Sequence, residues 1–405
     1  MTQKSATRKR PARRRPAGNV ASQMAIAQPA QPNQEALSDG GFTALLEKAT
    51  REILAVTYWF EPAPQPRPYP VTIRFSGHRS DVQGRPLPGD RFVQDETIEN
   101  VVPGSGPIAL TTRVHDINPG EWVVTASMLG PTLPVREQRK QESTPFAAEH
   151  SEPIARFWHK WAPSVGTTEQ VRTCLLPFAH VPGIIPGIWG IMVSIGIIVA
   201  LAFQFLIISA HHLTIGPWWT VSLIAILAGI IGAKGWYIVV YRHEHLINGW
   251  CIQGFIAAAT AMLAILIAVF HMPAGVFLDV TAPGLLLAMA IGRVGCFFAG
   301  CCGGRPTASR FGVWSSDQHV GARRIPTQLL ELLLAFSLGL GTLVGVLTYG
   351  PANGAFFVGG LAAYTLVRQG ILFLRAEPRK TKRGLPITTA LATLVLTTAI
   401  FWLAR

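Results

Sequence analysis

At 405 residues, with 49% hydrophobic and only 14% charged residues and a mean hydropathy of +0.33, the chain is too apolar on average for a soluble domain. Its formal net charge of +13 is concentrated at residues 4–15, 305–324 and 375–383, which suits anionic lipid head groups and membrane topology better than nucleic acid. Five cysteines, an odd number without paired CxxC spacing, argue against a disulfide framework or a structural zinc.

Residues 1–39 lack hydrophobic periodicity and are rich in Ala, Pro, Gln and Arg, which predicts a disordered basic tail. No apolar run follows the basic start, so neither a cleaved leader nor a short anchor is expected there. The run GFTALLEKATREILAVTYWF predicts one amphipathic helix, broken by the proline-rich EPAPQPRPYP. From Val71 to Met128 the period becomes two: VTIRFSG, RFVQDETIENVV, IALTTRVHDI and EWVVTASML alternate with GRPLPGD, PGSGP and NPG. This spacing predicts a small antiparallel β-sandwich, so residues 40–130 are expected to form one such domain with a preceding helix. No catalytic cluster stands out in it, and His78, His115 and Asp116 read as surface residues. Residues 131–180 are expected to be a linker and interfacial segment, in which the aromatic and basic run RFWHKW suits a lipid interface.

Residues 181–405 read as an all-α polytopic membrane domain. Apolar spans are predicted at 186–209, 217–241, 252–270, 282–301, 328–347, 355–373 and 385–403, about seven helices of the length a bilayer requires. The loops HHLTIGP, HMPAGVFLD and YGPAN carry no Lys or Arg, whereas YRHEHLING, the segment 302–327 and RAEPRKTKRG do. They alternate, so all basic loops share one side with the amino-terminal domain, and the charge rule assigns that side to the cytoplasm. His243, Glu244 and His245 read as a polar inter-helix turn rather than a metal site.

The fourth span runs into DVTAPGLLLAMAIGRVGCFFAGCCGGRPT, where plain apolar sequence gives way to glycines, cysteines and arginines. A guanidinium in a membrane span costs several kcal/mol, of order 3 or more, unless it meets a partner or a polar cavity, which makes Arg293 a candidate site residue. The unusual residues of the other spans fall at the same basic-loop ends. Trp189 opens the first; Lys234, Trp236 and Tyr237 close the second; Gln253 opens the third. Cys296 and Cys301 accompany Arg293, Gln328 and Glu331 open the fifth, and Tyr364 and Arg368 lie late in the sixth. Polar residues gathered in one half of the bilayer suit a lipid head-group site, and together with the lack of an internal repeat they argue against a transporter. Cys296, Cys301 and Cys302 read as small polarizable residues lining a tight helix end, with no metal and no cofactor expected.

The run GRVGCFFAGCCGGRPT, followed by FGVWSSDQHVGARRIPTQLLE, resembles the signature of the prolipoprotein diacylglyceryl transferases. The resemblance extends to GIIGAKGWY, NGWCIQG, DVTAP and GAFFVGGLAAYTLVRQGILFLR and covers roughly residues 186–403. It implies a seven-helix enzyme of the cell membrane that transfers a diacylglyceryl group from phosphatidylglycerol to a prolipoprotein cysteine, with phosphatidylglycerol, the prolipoprotein and membrane lipids as partners and no nucleic acid. It further implies that Arg293 and Arg368 are catalytic and bind the phosphate, and that Gln253 occupies a third catalytic position. Lys234, Tyr237, Gly292, Gly295, Cys296, Gly300, Cys301, Gly304, Arg305, Arg324, Gln328, Glu331 and Tyr364 would then shape the substrate pocket.

Three departures stand out. Gln253 replaces a family histidine and is no base near neutral pH. Cys296 and Cys301 replace Asn and Glu in the signature, and Lys234 replaces an arginine. The alternative is therefore a catalytically altered relative that binds anionic phospholipid and serves as a membrane adaptor through its β-domain. Sidedness is also contested. The family places the signature end of the fourth helix outside, and that orientation is preferred here over the one the basic charges suggest.

Overall fold

The computed structural model describes residues 52–82, 84–129, 153–161, 168–175, 179–240, 251–377 and 384–403. The expected tail, the first part of the expected helix, most of the linker, the turn with His243 and His245, and most of the basic run after Glu377 lie outside these residues.

Five strands come first: β1 (Glu52–Phe60), β2 (Tyr69–Arg79), β3 (Arg91–Val101), β4 (Ile108–Val114) and β5 (Glu121–Met128). Helix α1 (Pro153–Trp161) and strands β6 (Glu169–Arg172) and β7 (Cys174–Leu175) follow, within the segment expected to be a linker. The long helices are α2 (Ile188–Ala210), α3 (Ile215–Val240), α4 (Ile252–Val269) and α5 (Ala274–Phe298). After a hairpin of β8 (Val313–Ser316) and β9 (Val320–Arg324) come α6 (Thr327–Tyr349), α7 (Ala355–Ile371), a 3-10 turn (Leu372–Leu374) and α8 (Gly384–Leu403). Among the described residues, the seven helices from α2 to α8 are each long and apolar enough to cross a membrane.

The strands form two antiparallel sheets, in the orders β7-β1-β4-β9-β8 and β3-β2-β5-β6. Leu54, Val56 and Leu110 from the first sheet meet Ile73, Phe75 and Trp122 from the second in one apolar core. Two expectations are corrected here. The residues 52–60 form a strand, not the second half of a helix. Both faces of β1 are covered, so its sequence is continuously apolar instead of alternating, and such a run cannot be told from a helix by periodicity.

The segment between the fourth and fifth spans, expected to be a polar loop, contributes a hairpin to the first sheet. Ala109 pairs with Gly321 and Leu110 with Val320. The Trp314 indole donates to the carbonyl of Pro107 at 3.0 Å and stacks on Trp59 at 5.4 Å between ring centres. The amino-terminal strands are thus joined to the segment that follows α5, on the same side of the spans.

Helix α5 starts at Ala274 rather than near residue 282, which puts Pro283 inside it. In lipid the backbone must stay hydrogen-bonded within helices, and this outweighs the stop signal of DVTAP. Helix α3 packs on α4 at a seam of small residues: a Cβ on Gly232 would collide with the Gly254 carbonyl.

Candidate functional site

Helix α5 ends beside the starts of the hairpin and α6, and α7 returns to the same level. At this junction Glu331 of α6 is fully buried. A carboxylate in such a place needs compensating partners. Arg293 Nη2 lies 2.5 Å from Oε2, Arg375 Nη2 donates to Oε1 at 2.6 Å, and Arg368 Nε stands 3.5 Å from Oε2. The Tyr364 hydroxyl donates to Oε2 at 3.2 Å and accepts from Arg293 Nη2 at 3.2 Å. Three guanidiniums around one carboxylate leave two positive charges in surplus. The Nε atoms of Arg368 and Arg375 are buried and have no hydrogen-bond acceptor among the described residues. Chemically, the cluster has the donors and the charge that holding an anion requires.

The glycine-rich segment after α5 builds its frame. Gly304 bridges Arg375, the Arg305 amide donates to the Leu374 carbonyl at 3.0 Å, and the Ala376 amide donates to the Gly303 carbonyl at 3.1 Å. A Cβ on Gly304 would collide with the carbonyl of Ile325, which explains the residue's size. Gly300 turns the chain at a φ of 70° with Ile184 and Ser316 pressed against it, a conformation that favours glycine. Gln328 donates to the Cys301 carbonyl and Thr327 to the Cys302 carbonyl, each at 3.0 Å, so the start of α6 clamps the cysteine turn. The Cys301 thiol donates back to the Cys296 carbonyl at 3.6 Å.

The structure therefore brings Arg293, Arg368, Glu331 and Tyr364 together, with Cys296 and Cys301 close by. Gly292 has open space beside its Cα, whereas Gly295 is filled by Met192 and Trp189 and serves the α2–α5 seam. Arg305 is exposed and donates from Nε to the Arg375 carbonyl at 3.2 Å. Arg324 is buried but drawn away, onto Asp317 at 2.6 Å and the Val320 carbonyl at 3.1 Å, where it holds the hairpin turn. Lys234 and Tyr237 stand on α3 with the ammonium 5.9 Å from the ring. Gln253 is exposed at the start of α4 and accepts from the Cys251 thiol at 2.9 Å. None of these last three is among the partners of Glu331 described above.

Two buried charged residues of the membrane domain were not singled out from sequence. Arg375 looked like the first residue of a basic loop, although its spacing of seven from Arg368, about two helical turns, could have placed both on one face. Asp279 is fully buried at the other end of α5. Its oxygens accept from the backbone amides of Ala352, Gly354, Phe356 and Phe357 at 3.0–3.3 Å.

Comparison with known proteins agrees with this architecture. Residues 179–405 match the family described as prolipoprotein diacylglyceryl transferase. A phosphatidylglycerol–prolipoprotein diacylglyceryl transferase of Dehalococcoides mccartyi (strain 195) is 31% identical over 202 residues, covering 47% of this chain and 77% of the relative. Phosphatidylglycerol–prolipoprotein diacylglyceryl transferase 2 of Clostridium perfringens is 29% identical over 207 residues, covering 47% and 79%. The corresponding transferase 2 of Streptomyces coelicolor is 32% identical over 138 residues, covering 32% and 43%.

Proposed function

The chain belongs to the prolipoprotein diacylglyceryl transferase family, and on that premise we propose that it transfers the diacylglyceryl group of phosphatidylglycerol to the thiol of a prolipoprotein cysteine in the cell membrane. The observation that carries this reading is the surplus of two positive charges around Glu331. In the reaction a sulfur–carbon bond forms at the glyceryl carbon while the carbon–oxygen bond to phosphate breaks. The bond's electrons leave with the phosphate, so a diester with one negative charge becomes a monoester that carries two until it takes up a proton. A site holding two uncompensated guanidinium charges is matched to that leaving group rather than to the substrate, and differential stabilisation of this kind accelerates the chemical step.

In this mechanism Arg293, Arg368 and Arg375 bind the phosphate, with the Nε atoms of Arg368 and Arg375, neither of which makes a hydrogen bond among the described residues, supplying donors as the charge develops. Glu331 and Tyr364 hold the guanidiniums in place and stop them from repelling one another apart. The open space beside Gly292 admits the glyceryl backbone close to helix α5. Gln253 cannot remove a proton, and the thiol's proton ends on the released phosphate monoester, the strongest base the reaction produces. Lys234 and Tyr237 act further out, toward the head group as it approaches.

The test uses the full chain in proteoliposomes containing phosphatidylglycerol labelled in its diacylglyceryl part, together with a peptide carrying a lipoprotein cleavage motif. A peptide heavier by one diacylglyceryl group, with an equal amount of glycerol phosphate released, is expected. Saturable phosphatidylglycerol binding with neither product would replace the enzyme by an anionic-lipid adaptor.

A further inference from the structure

Helix α1 belongs to no part of the family match, and half of its surface is unexplained by the fold. Ala155 and Trp158 are buried against Trp59 and Trp314. Ile154, Phe157 and Trp161, one apolar stripe at helical spacing, are instead 46%, 53% and 55% exposed. Arg156 and Lys160, also exposed, flank the stripe on the edge away from the buried face. A soluble surface gains nothing from such an arrangement, whereas a helix lying in a membrane interface has apolar side chains below and basic ones level with the phosphates.

The height of the helix supplies a second argument. The cluster that holds Ala155 and Trp158 includes Phe298, the last residue of α5, and Ile185, whose amide donates to the Phe298 carbonyl at 2.9 Å. Helix α1 is thereby fixed level with the end of a membrane span. At the same level Trp189 opens α2 and Trp236 lies in the last part of α3, 41% and 49% exposed, as aromatic residues do at a bilayer boundary. A groove of about 380 Å³ between Ile154 and Phe157 on one side and Phe297 and Phe298 on the other continues the apolar surface from the stripe to the span.

We infer that α1 lies in the interfacial layer of the same bilayer the spans cross, with Ile154, Phe157 and Trp161 among acyl chains and Arg156 and Lys160 on anionic phosphates. The helix then anchors the sheet, and with it the hairpin carrying Trp314, on the lipid surface beside the anion site.

The experiment places the photo-crosslinker benzoylphenylalanine at Phe157 in the full chain, reconstituted in phosphatidylglycerol vesicles, and weighs the adducts. Leu227, 59% exposed on span α3, is the lipid-facing reference, and Val93, 69% exposed on β3, is the water-facing one. Position 157 is expected to give lipid adducts within about threefold of position 227 and at least about tenfold above position 93. A yield equal to that at position 93, or adducts to protein alone, overturns the inference. Exchanging both basic residues (Arg156→Gln with Lys160→Gln) is expected to lower the lipid yield about tenfold in phosphatidylglycerol and little in phosphatidylcholine. An equal yield in all four combinations would remove the anionic-lipid contact.

Discussion

Asp279 and Glu331 are both fully buried carboxylates of the membrane domain, yet they sit at opposite ends of it and are compensated in opposite ways. Asp279 takes backbone amides at the start of α7, neutral donors whose aligned dipoles suit a single negative charge. Nothing is left over for a ligand. Glu331 takes three guanidiniums, more positive charge than it can neutralise, in a region where surplus charge is expensive. Burial of a carboxylate is common to both; the excess of positive partners is what separates the proposed anion site from a fastening.

The sharpest way to break this contrast is to remove the excess. Arg293→Ala, Arg368→Ala and Arg375→Ala are each expected to lower kcat/KM at least about a thousandfold, while the purified protein keeps its helical circular dichroism and elution position. Lysine at these positions should recover little, because a point charge does not reproduce the planar fork. Turnover within about tenfold of wild type in any one variant would take that arginine out of the mechanism.

At the other end the loss should fall on stability. Asp279→Ala leaves four amides without their acceptor and is expected to destabilise the fold by about 3 kcal/mol, seen as a lower thermal midpoint, with nearly normal turnover by the molecules that remain folded. Loss of turnover at an unchanged midpoint would show that the two carboxylates are not so different after all.

How far the sequence disclosed each region follows from the strength of its constraints. The spans were legible because a bilayer demands about twenty apolar residues per helix, and Arg293 because a guanidinium in such a span has few innocent explanations. Glu331 and Tyr364 stand out in the sequence by their position at the same helix ends, and the structure brings them to Arg293. Arg375 was hidden because a basic residue next to Arg379, Lys380 and Lys382 looks topogenic. Strand β1 was hidden because burial on both faces erased its period, and the hairpin because it buries polar residues, Ser315, Ser316 and Arg324, and its partners are some two hundred residues away, as in the bond from Trp314 to Pro107. Asp279 stands within DVTAP, but its role depends on amides at the start of another helix, which no local pattern reveals.

A smaller effect is expected at Gln253. A lost general base typically costs about a hundredfold or more, so if this position mattered to proton transfer, Gln253→His should raise turnover strongly. Its exposed place at the start of α4, bonded to Cys251, leads instead to a change of no more than about threefold. Complete loss of activity in a folded variant would mean that the glutamine makes an irreplaceable hydrogen bond.

The smallest effect concerns the joint between sheet and hairpin, where charges are paired one to one. His319 Nε2 lies 3.4 Å from Glu96 Oε2, and its carbonyl accepts from the Thr111 amide at 2.8 Å. Burial alone would raise Glu96, but the hydrogen bond and charge of His319, with Gln94 and Thr112, hold it below its ordinary 4.5. The bond to Glu96 outweighs burial at His319 and lifts it above its ordinary 6.5, helped by Glu96 and Asp317 charge. A raised histidine contributes fully below 6.5 and is lost as pH climbs through its folded value; a lowered carboxylate contributes above 4.5 and is lost as pH falls through its own. The joint is therefore tightest in the window between those two values and loosens toward alkaline pH. With the His319 side chain 45% exposed, the gain is limited to about 1 kcal/mol. Hydrogen exchange at the amides of β9, corrected for its intrinsic pH dependence, should speed up about fivefold between pH 6 and pH 8.5 in the wild type and stay flat in His319→Gln. The same acceleration in both proteins would locate the pH response elsewhere, and raised salt should reduce the wild-type effect because a half-exposed pair is screened.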